Sequence, residues 1–177
     1  QFILYYESLL DFDEDEFEEF LKKSVEELPI IFRINKIYTY CESLEEDITE
    51  ILLNDNFKNR TKRYKFNFLD NIYQIDKLDK NNSIDTKLKE ILIQENDYGI
   101  LRQELVAMIP VNLINIEDDF VILDMCAAPG NKTLQALEIM EEKARNKNTL
   151  PTGVIISNEL DPKRAGNMAH LFKAHFP

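Results

Sequence analysis

The chain has 177 residues, 44% of them hydrophobic and 31% charged, and a formal net charge of −12. That length buries one sizeable core or two small ones. The acid excess argues against a broad nucleic-acid surface on this stretch, because phosphate contacts come from Lys and Arg. No apolar run is long enough to span a membrane, and no signal peptide is visible. Cys41 and Cys126 are too far apart to suggest a disulfide framework, and no close Cys/His cluster suggests a metal.

In chain order, Phe2–Leu10 is aromatic-rich and is expected to pack the N-terminus onto the first domain. Asp13–Leu28 reads as an amphipathic helix, with Phe17, Phe20, Leu21, Val25 and Leu28 at three/four spacing and acids at its N-terminal end. Pro29 stops it, and Ile30–Ile34 is a short buried strand. Arg33 within it reads as a salt-bridged sheet residue ahead of a nucleic-acid contact. Ser43-Leu44-Glu45-Glu46 is a capping box that opens a second helix, with Ile48, Ile51 and Leu52 inward.

Asn54–Arg63 is polar and reads as a loop. Lys58, Arg60, Lys62, Arg63 and Lys65, interleaved with Phe57, Tyr64 and Phe66, are read as an exposed turn ahead of a nucleic-acid patch. Strands are expected at Tyr64–Leu69 and Asn71–Ile75, a loop at Lys77–Ser83 and a helix at Asp85–Asn96 with Leu88, Ile91 and Leu92 inward. Tyr98-Gly99 then turns into a helix, Leu101–Ile109, that Pro110 ends or bends. All four glycines lie from Gly99 onward. The chain is therefore divided into a small α+β N-terminal domain, residues 1–96, and the start of a second domain, residues 97–177.

Val121–Thr133, VILDMCAAPGNKT, has the pattern of strand, tight loop and helix that begins a nucleotide-binding α/β sheet. Small residues let the backbone approach a ligand, and the helix start offers unpaired N–H groups to an anion. A P-loop needs Gly-Lys-Ser/Thr in succession, whereas here Asn131 separates Gly130 from Lys132. The dinucleotide fingerprint needs three glycines and this loop has one. What remains is the looser loop of S-adenosylmethionine (SAM) enzymes.

The polar stretch Glu141–Pro151 reads as a long loop, and Gly153–Glu159 as a second buried parallel strand that ends in an acid. An acid at that place accepts hydrogen bonds from ribose hydroxyls. Asp161-Pro162 gives an N-cap and a first helical position. The stripes Leu134/Leu137/Met140 and Met168/Leu171/Phe172 read as core. A two-stranded Rossmann-type sheet is unfinished, so the chain is expected to be a fragment.

These residues carry a resemblance. VILDMCAAPGNKT resembles the SAM-binding motif of the Nop/Sun family of RNA cytosine-5 methyltransferases, most nearly its eukaryotic tRNA-modifying branch. RQELVAMIP, Arg102–Pro110, is similar to the family's preceding helix. PTGVIISNELDPKR is similar to its second strand and acidic turn. Leu28–Asn35 resembles a Leu-Pro-x-x-Phe-Arg segment of its N-terminal domain. The resemblance is close over Lys87–Lys173, patchy over Phe2–Asn35 and weak between.

The resemblance implies methyl transfer from SAM to carbon 5 of a cytosine in RNA, after a cysteine thiolate adds to carbon 6. It places the nucleophilic cysteine beyond Pro177, so no catalytic residue is expected in this chain. It implies that Cys126, Ala127, Ala128, Pro129, Gly130, Asn131 and Lys132 wrap SAM and that Glu159, where Asp is usual, binds the ribose hydroxyls. Asp124 either orients the loop or reaches the SAM amino group through water. Arg102 and Gln103 either shape the pocket or make ordinary hydrogen bonds. Cys126 is expected to be a small buried hydrophobe. A monomer that acts on tRNA in the nucleus is expected, without metal or membrane. Another SAM methyltransferase, or a non-catalytic relative, is the alternative.

Overall fold

The computed structural model describes residues 1–55, 57, 59–66, 69–76, 78–79, 81–94 and 99–175, with the backbone alone at 64–66 and 69–71. In chain order the elements are α1 (Phe2–Leu9), α2 (Glu14–Ser24), β1 (Ile30–Ile34), α3 (Cys41–Leu52), β2 (Thr61–Phe66), β3 (Leu69–Ile75) and α4 (Ser83–Gln94). Then come β4 (Ile100–Arg102), α5 (Leu105–Asn112), β5 (Val121–Asp124), α6 (Asn131–Asn146), β6 (Val154–Ser157) and α7 (Pro162–His175).

The first sheet is antiparallel, in the order β2-β3-β1-β4. Side chains alternate across a strand, so Phe32 and Ile34 fall on one face of β1 and Arg33 on the other. Phe32, Ile34, Ile75 and Ile100 meet Leu44 and Ile48 of α3 and Leu88 and Leu92 of α4 in one buried cluster. The opposite face carries Arg33 and its cross-strand partners Ile72 and Leu101, all buried.

Several expected boundaries move. Leu101 lies in β4 and not in a helix, because Ile100 and Leu101 complete the sheet beside β1. The next helix, α5, is short and holds Pro110 within its last turn. α3 begins at Cys41, ahead of the expected capping box at Ser43, because the turn from Asn35 winds directly into it through Cys41 N–H to Tyr38 O at 3.0 Å. Residues 95–98, where the domain junction was expected, lie outside the described residues.

α2 is capped by Asp13, whose Oδ1 accepts the Glu16 N–H at 2.9 Å while Glu16 Oε2 accepts the Asp13 N–H at 3.1 Å. It ends at Ser24, short of Pro29, which disfavours helix in the residue before it. Val25 and Leu28, expected on the inward stripe, are therefore exposed. α1 rests on α2 through Phe2 and Tyr6 against Phe20.

The basic cluster is partly neutralised. Arg60 Nη2 donates to Asp85 Oδ2 at 2.7 Å, and Arg63 pairs with Glu45 beside the Tyr73 ring. Phe57 is buried beneath Arg60. Lys58 and the side chains of Tyr64, Lys65 and Phe66 lie outside the described residues.

Asp85 is buried, which pushes its carboxyl up, but Arg60 and the Asp79 N–H outweigh that and hold it below its ordinary range. Asp85→Ala is expected to cost about 2 kcal/mol in urea unfolding. A carboxyl lowered in the folded state contributes stability above its unfolded pKa and loses it as pH falls through the folded one. The deficit of the variant should therefore shrink on acidification.

The second sheet is the parallel pair β5–β6, in register from Val121↔Val154 to Asp124↔Ser157. Ile122 and Ile155 pack on Val111, Ile116, Ala136 and Met140. The opposite face, Val121, Leu123, Val154 and Ile156, is exposed, although both strands were expected to be buried. In these residues α5 and α6 cover only one side of the pair. α6 runs on to Asn146, so the first part of the expected Glu141–Pro151 loop is helical. Buried Ala144 holds that last turn to the core, and Lys143 and Lys147 pair with Glu117 and Asp118.

Arg33 joins the first sheet to α6. Its Nε donates to Gln103 Oε1 at 3.1 Å and its Nη1 pairs with Glu138 Oε2. Gln103 Nε2 donates to Gln135 Oε1 at 3.1 Å, and Gln135 Nε2 to Met108 O at 2.9 Å. This favours the salt-bridged reading of Arg33 over a nucleic-acid contact.

Candidate functional site

β5 ends at Asp124, and the chain turns through Met125–Gly130 into α6. Asp124 Oδ2 accepts the Thr133 hydroxyl at 2.7 Å, which ties the strand end to the first turn of the helix. Gly130 caps α6 at φ 113° and ψ −4°, a left-handed conformation that glycine adopts without strain. A side chain there would also meet Phe172 Cε1 at 2.8 Å and Met168 Cγ at 3.1 Å. The Ala128–Pro129 peptide is cis. Ala127 and Ala128 are buried against Met168, with Phe172 packed beside them.

The end of β6 is stitched to this loop. Asn158 N–H donates to Asp124 O at 2.8 Å, and Ala127 N–H to Asn158 O at 2.9 Å. The Asn158 side chain donates to Met125 O at 2.9 Å. Arg164, in the first turn of α7, donates from Nη2 to Ala128 O at 2.8 Å, and its Nη1 lies 3.5 Å from Glu159 Oε1. Glu159 Oε1 also accepts the Asp161 N–H at 3.1 Å. Asp161 Oδ1 caps α7 through the Arg164 N–H at 2.9 Å, with Pro162 at the first helical position as expected.

A cleft of about 540 Å³ opens beside the loop. Asp124, Cys126, Ala127, Ala128, Pro129, Asn131 and Lys132 form one wall. Leu28–Ile31 and Arg102–Glu104, with Ala107, form the other. Asn131 fixes the two walls, because its Nδ2 donates to Arg102 O at 3.0 Å. Gly130 lies behind the cleft and is buried. Glu159 is likewise off this wall, at the end of β6. Cys126 is exposed and not the buried hydrophobe expected, because the loop turns its side chain outward while Ala127 and Ala128 take the inner positions.

The volume is that of a small-molecule site. The cleft lies at the carboxyl end of a parallel strand, where open α/β sheets bind ligands. The first N–H groups of α6 have no partner within the helix and suit a carboxylate, while Asp124 suits an ammonium group. This donor set fits an amino-acid ligand such as the methionine part of SAM. Among the described residues no three His, Cys, Asp or Glu side chains are grouped to hold a metal. Among the same residues no helix is long and apolar enough to cross a membrane.

Sequence reading left three contributors without a role. Thr133 was legible as a hydroxyl nine positions after the strand acid, one helical turn past the loop. Arg164 was legible only as the third residue of a capped helix. That Leu28–Ile31 faces the loop had no local signal, since that contact is made across the fold.

No protein-family model matches the chain. It is 30% identical over 181 aligned positions to a multisite-specific tRNA:(cytosine-C(5))-methyltransferase of Saccharomyces cerevisiae, covering 96% of this chain and 26% of that protein. It is 42% identical over 93 residues to the like-named protein of Schizosaccharomyces pombe, covering 48% of this chain and 14% of that one. A methyltransferase homologue of Pyrococcus horikoshii has the same fold, with a TM-score of 0.59 at 17% identity over 97% of this chain and 52% of that one. The chain thus spans about a quarter or less of its curated relatives. The chain is a homologue of the tRNA (cytosine-C5)-methyltransferases, the Nop/Sun group that its sequence resembles.

Proposed function

We propose that the natural protein is a SAM-dependent cytosine-5 methyltransferase of RNA, with tRNA as substrate, and that the cleft beside Cys126–Lys132 holds SAM. The observation that carries this reading is the cleft itself, walled by the CAAPG loop at the end of β5 and by the start of α6. SAM supplies an electrophilic methyl group. The names of the two yeast relatives support cytosine in tRNA as the acceptor.

The roles of the chain's own groups follow from their placement. The small residues of the loop admit the ligand to the backbone. The α6 N–H groups hold its carboxylate, and Asp124, fixed by Thr133, faces its ammonium end. Glu159 takes the ribose hydroxyls. We further propose that residues 1–96 form a separate N-terminal domain and residues 97–177 the start of the methyltransferase domain. β4, which pairs with β1, would then be the splice between them. A nuclear monomer is the corresponding proposal for its setting, supported by family resemblance.

Cys126 is part of the cofactor wall in this reading and not the nucleophile. Cys126→Ala is therefore expected to keep kcat on tRNA within about tenfold, whereas loss of a covalent nucleophile costs on the order of a million-fold. Equilibrium dialysis of the natural protein against SAM tests the site itself. Saturable binding that fails in Asn131→Ala/Asp124→Ala supports it, and binding untouched by those changes refutes it.

A further inference from the structure

We infer that Arg164 is a positioning residue for the ribose end of the SAM site, an inference that rests on the proposed function above. Two segments expected to meet the ligand are far apart in sequence: Ala128 in the loop after β5 and Glu159 at the end of β6. Arg164 bridges them, with Nη2 on the Ala128 carbonyl at 2.8 Å and Nη1 at 3.5 Å from Glu159 Oε1. Its own backbone is fixed, because its N–H is the donor to the Asp161 cap. The guanidinium is planar and its N–H groups point in set directions, so it registers two acceptors at once where an ammonium would not.

The geometry divides the Glu159 carboxylate into two parts. Oε1 is turned toward α7, where it meets the Asp161 N–H and Arg164. Two contacts on Oε1 restrain rotation of the carboxylate, and with it the direction of the second oxygen. A vicinal diol needs two acceptor directions at set spacing, and a carboxylate free to rotate would satisfy it less well. Arg164 therefore acts through Glu159 and touches no ligand itself. The Glu159 side chain is only 6% exposed while that of Arg164 is 58% exposed, so a surface contact restrains a largely buried acid.

The test compares SAM with its 2′-deoxyribose analogue on the natural protein. In the unmodified protein the missing hydroxyl is expected to weaken binding about tenfold. In Arg164→Ala, SAM itself should bind about tenfold more weakly and the penalty for the missing hydroxyl should fall to about twofold. Arg164→Lys keeps the charge and most of the reach but cannot register Ala128 O and Glu159 at once. It should keep the melting temperature and show the same reduced discrimination, which guards against a variant that merely unfolds. If either folded variant binds both ligands more weakly by one common factor, Arg164 is a structural contact only and the inference is wrong. An unmodified protein that binds SAM without regard to the 2′ hydroxyl overturns the inference alone. One that binds no SAM overturns the reading beneath it as well.

Discussion

Gly130→Val is expected to abolish SAM binding, with Kd raised at least a hundredfold, and to lower the unfolding free energy by about 3 kcal/mol. Two independent costs combine. At φ 113° a β-branched residue is strained whatever the space around it. The new Cβ would also lie 2.8 Å from Phe172 Cε1, so either the loop or α7 must move. The loop carries Ala127 and Ala128, which α7 buries, and its outer side is the cleft wall. Isothermal titration with SAM beside urea unfolding measures both effects. Gly130→Ala in a Phe172→Ala background separates them: it removes the closest collision and leaves the backbone strain and the 3.1 Å approach to Met168 Cγ, so only part of the stability returns. Unchanged affinity in Gly130→Val would mean that the ligand site lies elsewhere.

Arg33→Met is expected to cost about 3–5 kcal/mol, the loss typical when one member of a buried ion pair is removed. Arg33 is 2% exposed, and its Glu138 partner is buried between α6 and the first sheet. Removing the cation leaves an uncompensated carboxylate there. The double variant Arg33→Met/Glu138→Leu should recover most of that loss, since the desolvation cost goes with the charges. Arg33 Nη2 and Glu138 Oε1 make no hydrogen bond among the described residues, which adds to the cost of keeping the pair. Urea titrations of these two variants, Glu138→Leu and the unmodified protein close the cycle.

Glu138 gives this pair a pH dependence. Burial pushes its carboxyl above the ordinary range and outweighs the opposing pull of Arg33. A carboxyl raised in the folded state keeps its proton where the unfolded chain has released it. Its contribution is fully present below the unfolded pKa and is lost as pH rises through the folded one. Wild-type stability should therefore decline over that window, and Glu138→Gln should remove that part of the slope.

The elements legible in sequence were those set by local rules. β5 was bounded correctly at Val121 and Asp124 because its apolar run breaks at an acid, and the start of α7 was legible because Asp161-Pro162 is a strong start signal. Leu101 and Arg102 of β4 were misread as the start of a helix. Ile100 and Leu101 are apolar in a run too short for its period to declare itself, and only β1 beside them makes them a strand. The end of α2 was missed because Val25 and Leu28 continue a three/four spacing that no neighbouring surface covers. In the site, the loop was legible from its small residues and single glycine. The opposite wall was not, because Leu28–Ile31 and Asp124–Lys132 meet only after both sheets have formed.

On the proposed reading, the natural protein is a SAM-dependent cytosine-5 methyltransferase of RNA whose cofactor rests on the Cys126–Lys132 loop. The most direct measurement is transfer of a labelled methyl group from SAM to a tRNA transcript by the natural protein, with the product nucleoside identified by mass spectrometry. 5-Methylcytidine is the expected labelled nucleoside, and its label is expected to be lost in Gly130→Val. Label on an amino nitrogen, or label on 5-methylcytidine undiminished in Gly130→Val, would contradict that reading.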